Sequence, residues 1–272
     1  GAHFEKIEGP ISTNGHGAIA GWHDGGGHRR WLVARPNHGP PPFGESALLL
    51  WDAAGLDRSV ELSVGRDNLA SISVADVDGD GDLDVFVGAG SRPGRFPEPA
   101  SSSVWLNENG TLVHSEIWSG TFQALGVVNA SCFTDFNGDG RPDLAVAMEW
   151  GPVRVFLNEG RRFHEVTPAW GIAGSIGWWT GIAAGDFDGD GHLDLVVGNR
   201  GLNTIHALRG NRPVRLAWGD ANGDGVVELV EAQMVGDVWR PLWDRLKLAA
   251  VFPDLPRRFT THRSFGEAAL AE

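Results

Sequence analysis

Residues 186–194 read DFDGDGHLD and run directly into the apolar triplet LVV at 195–197. Four carboxylates within nine residues repel one another, because each like-charge pair about 4 Å apart costs on the order of 4 kcal/mol at an effective dielectric constant near 20. A cation is therefore expected among them. Gly189 and Gly191 favour the positive-φ backbone that lets alternate side chains curl around one point.

The spacing of the oxygen donors predicts a calcium loop. Side-chain oxygens at positions one, three, five and nine, with the backbone carbonyl of position seven, make an all-oxygen shell of the kind that Ca²⁺ prefers. The loop is similar to the first half of an EF-hand, but it closes at position nine instead of twelve.

The same pattern occurs three more times, as DVDGDGDLD at 76–84, DFNGDGRPD at 135–143 and DANGDGVVE at 220–228. A small or apolar strand pattern precedes each loop and a β-branched one follows, so each loop is predicted to be a hairpin turn. We expect up to four Ca²⁺ ions. The predicted metal-binding residues are Asp76, Asp78, Asp80, Asp82, Asp84, Asp135, Asn137, Asp139, Arg141, Asp143, Asp186, Asp188, Asp190, His192, Asp194, Asp220, Asn222, Asp224, Val226 and Glu228.

The loop spacing predicts the fold. First residues of successive loops lie 59, 51 and 34 positions apart, and a period of this order fits one four-stranded blade of a β-propeller. Residues 22–30 have the shape of a further loop but keep only Asp24 of its carboxylates. We therefore expect an all-β propeller over 1–236 with five visible repeats, near 18–70, 71–129, 130–180, 181–212 and 213–236.

Residues 237–272 are predicted to form a short helical tail, packed on the propeller or on a partner. Apolar residues at 242, 243, 246, 249 and 250 follow helical spacing after Pro241, and a second helix is expected near 264–270. The last loop also satisfies the twelve-residue EF-hand spacing through Glu231, but the strand pattern at 213–218 favours the propeller loop.

These loops resemble the FG-GAP/VCBS repeats of integrin α-subunit propellers and of many secreted bacterial proteins. The resemblance covers roughly residues 70–270 and is closest to bacterial VCBS proteins associated with ASPIC/UnbV-type domains. Supporting stretches include EWGP at 149–152, FLNEG at 156–160 and VGNRGLN at 197–203. The resemblance implies a calcium-binding β-propeller outside the cytoplasm and no single activity.

Composition narrows the function classes. The formal net charge of −13 argues against a nucleic-acid partner and against an anionic membrane surface. No stretch of eighteen apolar residues occurs, so no membrane insertion is expected. Cys132 is the only cysteine and excludes an internal disulfide. The chain begins at Gly1, which we interpret as a processed or excised product whose export signal is gone.

The leading functional hypothesis is a secreted or cell-surface, calcium-stabilised binding, adhesion or assembly module. Its partner is expected to be a protein or glycan at the cell surface, with self-assembly as an alternative, and its location extracellular, cell-surface or periplasmic. A lectin using Trp178 or Trp179 and the loop around Phe96 is a second hypothesis. A polysaccharide-acting enzyme using His16, His38 or His114 is a third, although no catalytic constellation is recognised.

Overall fold

The computed structural model of the protein describes residues 18–23, 29–36, 45–52, 60–201 and 213–268. The chain divides into two compact units. One contains Gly1–Pro93 and Glu98–Asn199, and the other contains Gly94–Pro97 and Arg200–Glu272. Strands are the predominant regular secondary structure among the described residues, which agrees with the all-β prediction.

The first sheet of the first unit has four antiparallel strands in chain order. Its strands are β1 (Ala18–His23), β2 (Arg29–Arg35), β3 (Ala47–Asp52) and β4 (Val60–Ser63). Apolar runs at the centres of β2 and β3 bury Leu32 and Leu48 completely. Asp24, which lies between β1 and β2 in the sequence, is outside the described residues.

The second sheet repeats this topology. Its strands are β5 (Leu69–Ala75), β6 (Asp84–Ala89), β7 (Ser103–Glu108) and β8 (Thr111–His114). Strand β6 is buried along its whole length, as expected for an apolar strand that is covered on both faces. Helix α1 (Glu116–Ser119) follows β8, with Ser115 as its N-cap, and a 3₁₀ turn (Gly120–Phe122) follows the helix.

The third sheet contains six strands, because the far end of its second strand also pairs with the next hairpin. The pairing order is β12-β11-β10-β13-β14, and β9 pairs with β10. The strands are β9 (Val127–Thr134), β10 (Asp143–Gly151), β11 (Arg154–Asn158), β12 (Phe163–Glu165), β13 (Gly177–Gly185) and β14 (Asp194–Asn199).

The second unit contains a three-stranded sheet in the order β15-β16-β17, followed by three short helices. The strands are β15 (Val214–Gly219), β16 (Glu228–Val235) and β17 (Val238–Pro241). The helices are α2 (Arg245–Val251), α3 (Leu255–Arg258) and α4 (His262–Gly266).

Strand β17 lies where the helical tail is predicted to begin. Gly236 has a φ of 62°, so the chain turns after β16 and Val238 pairs with Val235. Helical spacing is correctly recognised further on, but α2 begins at Arg245 behind its N-cap Asp244, not near Pro241. The helix predicted near 264–270 overlaps α4, which begins at His262, and residues 269–272 lie outside the described residues. Helix α3 lies between α2 and α4 and was not predicted.

Apolar layers join successive sheets of the first unit. One layer places Leu48 of the first sheet with Val85 of the second. The next is centred on Phe122, whose ring centroid lies 5.2 Å from that of Phe86 and 5.1 Å from that of Phe156, both edge to face. Such aromatic pairs contribute about 0.5 to 1.5 kcal/mol beyond the burial of area.

The first strands of successive repeats are also joined to one another: β5 to β9, and β9 to β13 within the six-stranded sheet. Ser71 and Ser73 of β5 each lie 2.6 Å, Oγ to Oγ, from Ser131 of β9. The side-chain amide of Asn129 on β9 donates to the carbonyl of Trp179 on β13, at 2.8 Å. Repeats joined through their first strands are compatible with propeller blades, while ring closure and blade number stay predictions.

Gly88 on β6 lies where β5, β6 and β9 pack closely, and this packing predicts that a larger side chain at Gly88 is destabilising. A Cβ at Gly88 would lie 2.8 Å from Cγ1 of Val128 and 3.0 Å from Cβ of Ser71. We therefore expect Gly88→Ala to lower the free energy of unfolding by about 1 to 3 kcal/mol through overpacking. Urea unfolding measures the change. The matched control is Gly181→Ala, because a Cβ there meets nothing within 4 Å; equal effects of the two variants would contradict the packing.

Candidate metal centres

Each acidic loop closes an antiparallel hairpin, as the flanking strand patterns predict. The residue before each loop pairs with its ninth residue: Ala75 with Asp84, Thr134 with Asp143, Gly185 with Asp194, and Gly219 with Glu228. The four loops are named the first to the fourth loop in chain order, and their residues are numbered one to nine.

The position-one carboxylate organises every loop. One of its oxygens accepts from the glycine N–H at position four and the other from the glycine N–H at position six, at 2.7–3.0 Å in all four loops. These eight glycines have φ between 74° and 96°, a conformation that L-residues rarely adopt. The glycines therefore provide both the curl and the first two donors to the carboxylate.

Positions three and five add two further backbone contacts. The side-chain oxygen of position three accepts from the N–H of position five at 2.9–3.2 Å. The carboxylate of position five accepts from the N–H of position seven at 2.8–2.9 Å. Only one oxygen of each side chain is used in this way, so the second oxygen of Asp78 or Asp188 is available to a cation.

Position nine joins the loop to the sheet. Its carboxylate accepts from the N–H of position two in all four loops, at 2.7–3.1 Å. In the first two loops its other oxygen accepts from the last part of the third strand: Asp84 from Asn107 N–H at 2.8 Å, and Asp143 from Asn158 N–H at 2.7 Å. Both carboxylates are buried.

Burial changes the protonation of these groups. It raises the pKa of Asp84 to about 6 from an ordinary 3.8, although the N–H donors of Asn107 and Val77 oppose the shift. Burial also raises the pKa of Asp143 and of Asp78, and in Asp78 the neighbouring Asp80 and Asp76 add repulsion. A bound cation would relieve this cost, because it favours the charged form.

Two loops bring three carboxylates together. Oxygens of Asp76, Asp78 and Asp84 lie within 4.8 Å of one another, and so do those of Asp186, Asp188 and Asp194. This all-oxygen donor set fits a hard divalent ion such as Ca²⁺. Positions one, three and nine thus converge in the first and third loops. The contributions of positions five and seven, Asp80, Asp82, Asp190 and His192, stay predictions.

The second and fourth loops differ in their donors. Asn137 and Asn222 replace aspartate at position three, and their amide Nδ2 groups donate to the position-five carboxylates of Asp139 and Asp224, at 2.9 and 3.0 Å. In the fourth loop Val226 stands at position seven and Glu228 at position nine. Ligation by the predicted residues of these two loops, headed by Asp135 and Asp220, also stays a prediction.

The second loop carries its own cation. The guanidinium of Arg141, at position seven, contacts the carboxylate of Asp139, and its Nε donates to the carbonyl of Asn158 at 2.7 Å. The pKa of Asp139 is lowered, first by the Arg141 backbone N–H and also by the Asn137 side chain and the guanidinium. Sequence reasoning assigned only a backbone carbonyl to this position.

Asn107 and Asn158 are supporting residues that the sequence analysis did not assign. Each follows a leucine and precedes a glutamate near the end of a third strand, and each side-chain oxygen accepts from a following glycine N–H, Gly110 or Gly160. The repeated triplet Leu-Asn-Glu at 106–108 and 157–159 is the signal that would have identified them.

The described residues of the lectin and enzyme hypotheses lie in positions that do not favour those functions. Trp178 and Trp179 are both half-buried; the ring of Trp178 lies 5.4 Å from that of Trp150, and Trp179 Nε1 donates to Ser175 O. Phe96 is half-buried and belongs to the second unit. Of the three histidines, His114 packs edge to face on Trp105, while His16 and His38 lie outside the described residues.

The loops and sheets define a repeat protein built from antiparallel sheets with acidic hairpin turns. Residues 68–106, with the first loop, match the FG-GAP repeat family, and residues 135–197, with the second and third loops, match the FG-GAP-like repeat family. These matches support an FG-GAP repeat protein. FG-GAP repeats are typical of extracellular proteins and of binding or adhesion modules, and they commonly bind calcium.

Other comparisons add little. No curated protein matches the chain. A solved structure described as "Structure of a Xanthomonas Type IV Secretion System related protein" is similar over 86% of this chain and 97% of that chain, with 13% identity and a TM-score of 0.29. Within the described residues, no helix has both the length and the apolar character needed to cross a membrane.

Asp84 makes the metal-free protein sensitive to pH. Because the folded state holds the Asp84 proton up to about pH 6 and the unfolded chain loses it near 3.8, the contribution of Asp84 to stability is complete below pH 3.8 and is lost as the pH rises through 6. We expect Asp84→Asn to flatten this decline. Urea unfolding of metal-stripped protein between pH 4 and 7.5 measures it. The exposed Asp254→Asn serves as control, and unchanged slopes in Asp84→Asn would refute the assignment.

Proposed function

We propose that the chain is a secreted or cell-surface β-propeller module that calcium stabilises and that binds another macromolecule. The proposal depends on one observation, the recurrence of the same hydrogen-bonded acidic loop in four hairpins. The position-one to glycine contacts and the position-nine to position-two contact recur in all four turns, and this shared geometry supports a shared ligand. The match to FG-GAP repeat families supports calcium as that ligand.

Calcium in these loops is proposed to be structural. A site held at a hundred times its dissociation constant stabilises the folded state by about 2.7 kcal/mol. Two such sites therefore contribute about 5 kcal/mol, which is comparable to the whole stability of many domains. An ion whose ligand shell is completed by loop oxygens would leave no open position for a substrate, so it would be poorly suited to Lewis-acid catalysis.

The proposed partner is a protein or a glycan at a cell surface, and the proposed location is extracellular, cell-surface or periplasmic. FG-GAP repeats occur typically in such proteins, and the acidic balance of the chain disfavours polyanionic partners such as nucleic acids. The resemblance to bacterial VCBS proteins belongs to the same proposal. Self-assembly is the competing outcome, which a size measurement distinguishes.

Removal of calcium tests the proposal. Thermal melts with 1 mM CaCl₂ and with excess EGTA should differ by about 10 °C or more, since a change of 1 kcal/mol shifts the midpoint by about 2–4 °C in a chain near this size. Asp188→Ala removes one carboxylate of the third loop and should shrink the difference. Asp254→Ala, an exposed carboxylate outside the loops, should leave it unchanged.

Size in solution is measured on the same samples by light scattering. A chelator-sensitive midpoint with a constant monomeric mass supports a calcium-held module, and binding to glycan and protein arrays in calcium and in EGTA then identifies the partner class. A mass that changes with calcium supports assembly with other copies. Equal melting midpoints in calcium and EGTA would overturn the proposal.

A further inference from the structure

Asn158 touches two calcium loops at once. It lies at the end of β11 and is 1% exposed. Its side-chain Nδ2 donates to the carbonyl of Val77, position two of the first loop, at 2.8 Å. The same Nδ2 donates to the carbonyl of Pro142, position eight of the second loop, at 3.3 Å. One amide group thus joins loops that are 59 residues apart in sequence.

The backbone of Asn158 strengthens the connection to the second loop. Its N–H donates to the carboxylate of Asp143 at 2.7 Å, and its carbonyl accepts from Nε of Arg141 at 2.7 Å. Positions seven, eight and nine of the second loop are therefore all bonded to this one residue. With Oδ1 accepting from Gly160 N–H, every polar group of Asn158 has a partner.

The first loop is connected through Val77. The N–H of Val77 donates to Asp84 Oδ2 at 2.8 Å, and Asp84 is one of the three carboxylates that converge in that loop. Val77 is itself buried in the apolar layer between the second and third sheets. The peptide groups on either side of Val77 are thus held by Asp84 and by Asn158, so Asn158 restrains a carboxylate that it does not contact.

The second loop is ordered by a charge that belongs to the chain. Arg141 places its guanidinium on Asp139, whereas position seven is Asp82 in the first loop, His192 in the third and Val226 in the fourth. The second loop therefore has a permanent internal cation, which partly offsets the repulsion that the other loops leave to a bound ion.

We propose that Asn158 couples the two loops, so that the Arg141-braced second loop preorganises the first loop for calcium. The proposal rests on the proposed calcium function. A ligand site that is already ordered binds more tightly, because less conformational freedom is lost on binding. Asn158 acts as a positioning residue. Without its side-chain amide, the Val77 peptide and Asp84 are less restrained. Calcium must then order the first loop when it binds, and this cost lowers the calcium affinity of the loop.

The glycines of the loops allow each site to be followed separately. The N–H groups of Gly79 and Gly81 bond to Asp76 in the first loop, and those of Gly189 and Gly191 bond to Asp186 in the third. In full-length protein labelled with ¹⁵N-glycine, two-dimensional NMR during a CaCl₂ titration gives a midpoint for each loop. Asp78→Ala and Asp188→Ala assign the signals.

Asn158→Ala should weaken calcium binding at the first loop by roughly tenfold, a typical coupling factor, and leave the third-loop midpoint unchanged. The control is Thr121→Ala. The hydroxyl of Thr121 joins the 3₁₀ turn to β12 by donating to the Phe163 carbonyl at 2.9 Å, and it lies outside both loops. We expect Thr121→Ala to leave the first-loop midpoint within twofold of wild type.

The outcomes separate the two proposals. If the NMR signals of the loop glycines do not change during the calcium titration, the proposed function itself is refuted. Glycines that titrate normally, with an unchanged first-loop midpoint in Asn158→Ala, would refute the coupling alone.

If Asn158→Ala does not fold, the variant Arg141→Ala tests the coupling instead. Arg141 is exposed, and its substitution leaves the side chain of Asn158 unchanged. In this variant the second loop loses its internal cation and with it the order that it passes to the first loop, so the first loop should fill at higher calcium, reported by Gly79. A first-loop midpoint equal to wild type in Arg141→Ala would overturn the coupling.

Discussion

Each loop depends on one aspartate that accepts two glycine N–H groups. The position-one carboxylate can bond to positions four and six only because both glycines adopt positive φ, where an L-residue would be strained. These donors partly offset one negative charge before any ion binds. The remaining carboxylates still face one another at short range, and that residual repulsion is what a divalent cation relieves. The hairpin register depends on the same turn, because strand pairing begins between the residue before position one and position nine.

Position nine extends this constraint from the turn to the sheet. Asp84 and Asp143 bond to the N–H of position two in their own loop and to the third strand of their sheet. A buried carboxylate without such partners would be strongly unfavourable. The acidic loop is therefore part of the sheet. Loss of the groups that neutralise its carboxylates should disturb the two strands of the hairpin and also the third strand. This is the physical reason for the proposal that a bound calcium ion would be structural.

The sequence was sufficient for features that depend on local spacing. The loop positions, the hairpins around them and the mostly β architecture all follow from the Asp-Gly period and its apolar flanks. Contacts between distant residues were not predictable in this way. Nothing in the sequence places Asn158 against Val77, or directs the Arg141 side chain back to Asp139 instead of into solvent. Strand β17 was missed because helical spacing after residue 241 concealed a turn at Gly236.

A group that resembles a catalytic triad shows how this chain uses its polar residues. His114 Nε2 lies 3.2 Å from Ser119 Oγ, and its Nδ1 lies 3.6 Å from Glu116. Ser119 is nevertheless fully buried, and its hydroxyl accepts from the Val104 N–H at 2.9 Å. A nucleophile needs a substrate atom beside it, and no substrate can reach Oγ there. Instead the serine joins α1 to β7, just as Asn158 joins two loops: in both places the hydrogen-bonding capacity of the side chain is used to hold strands and turns together.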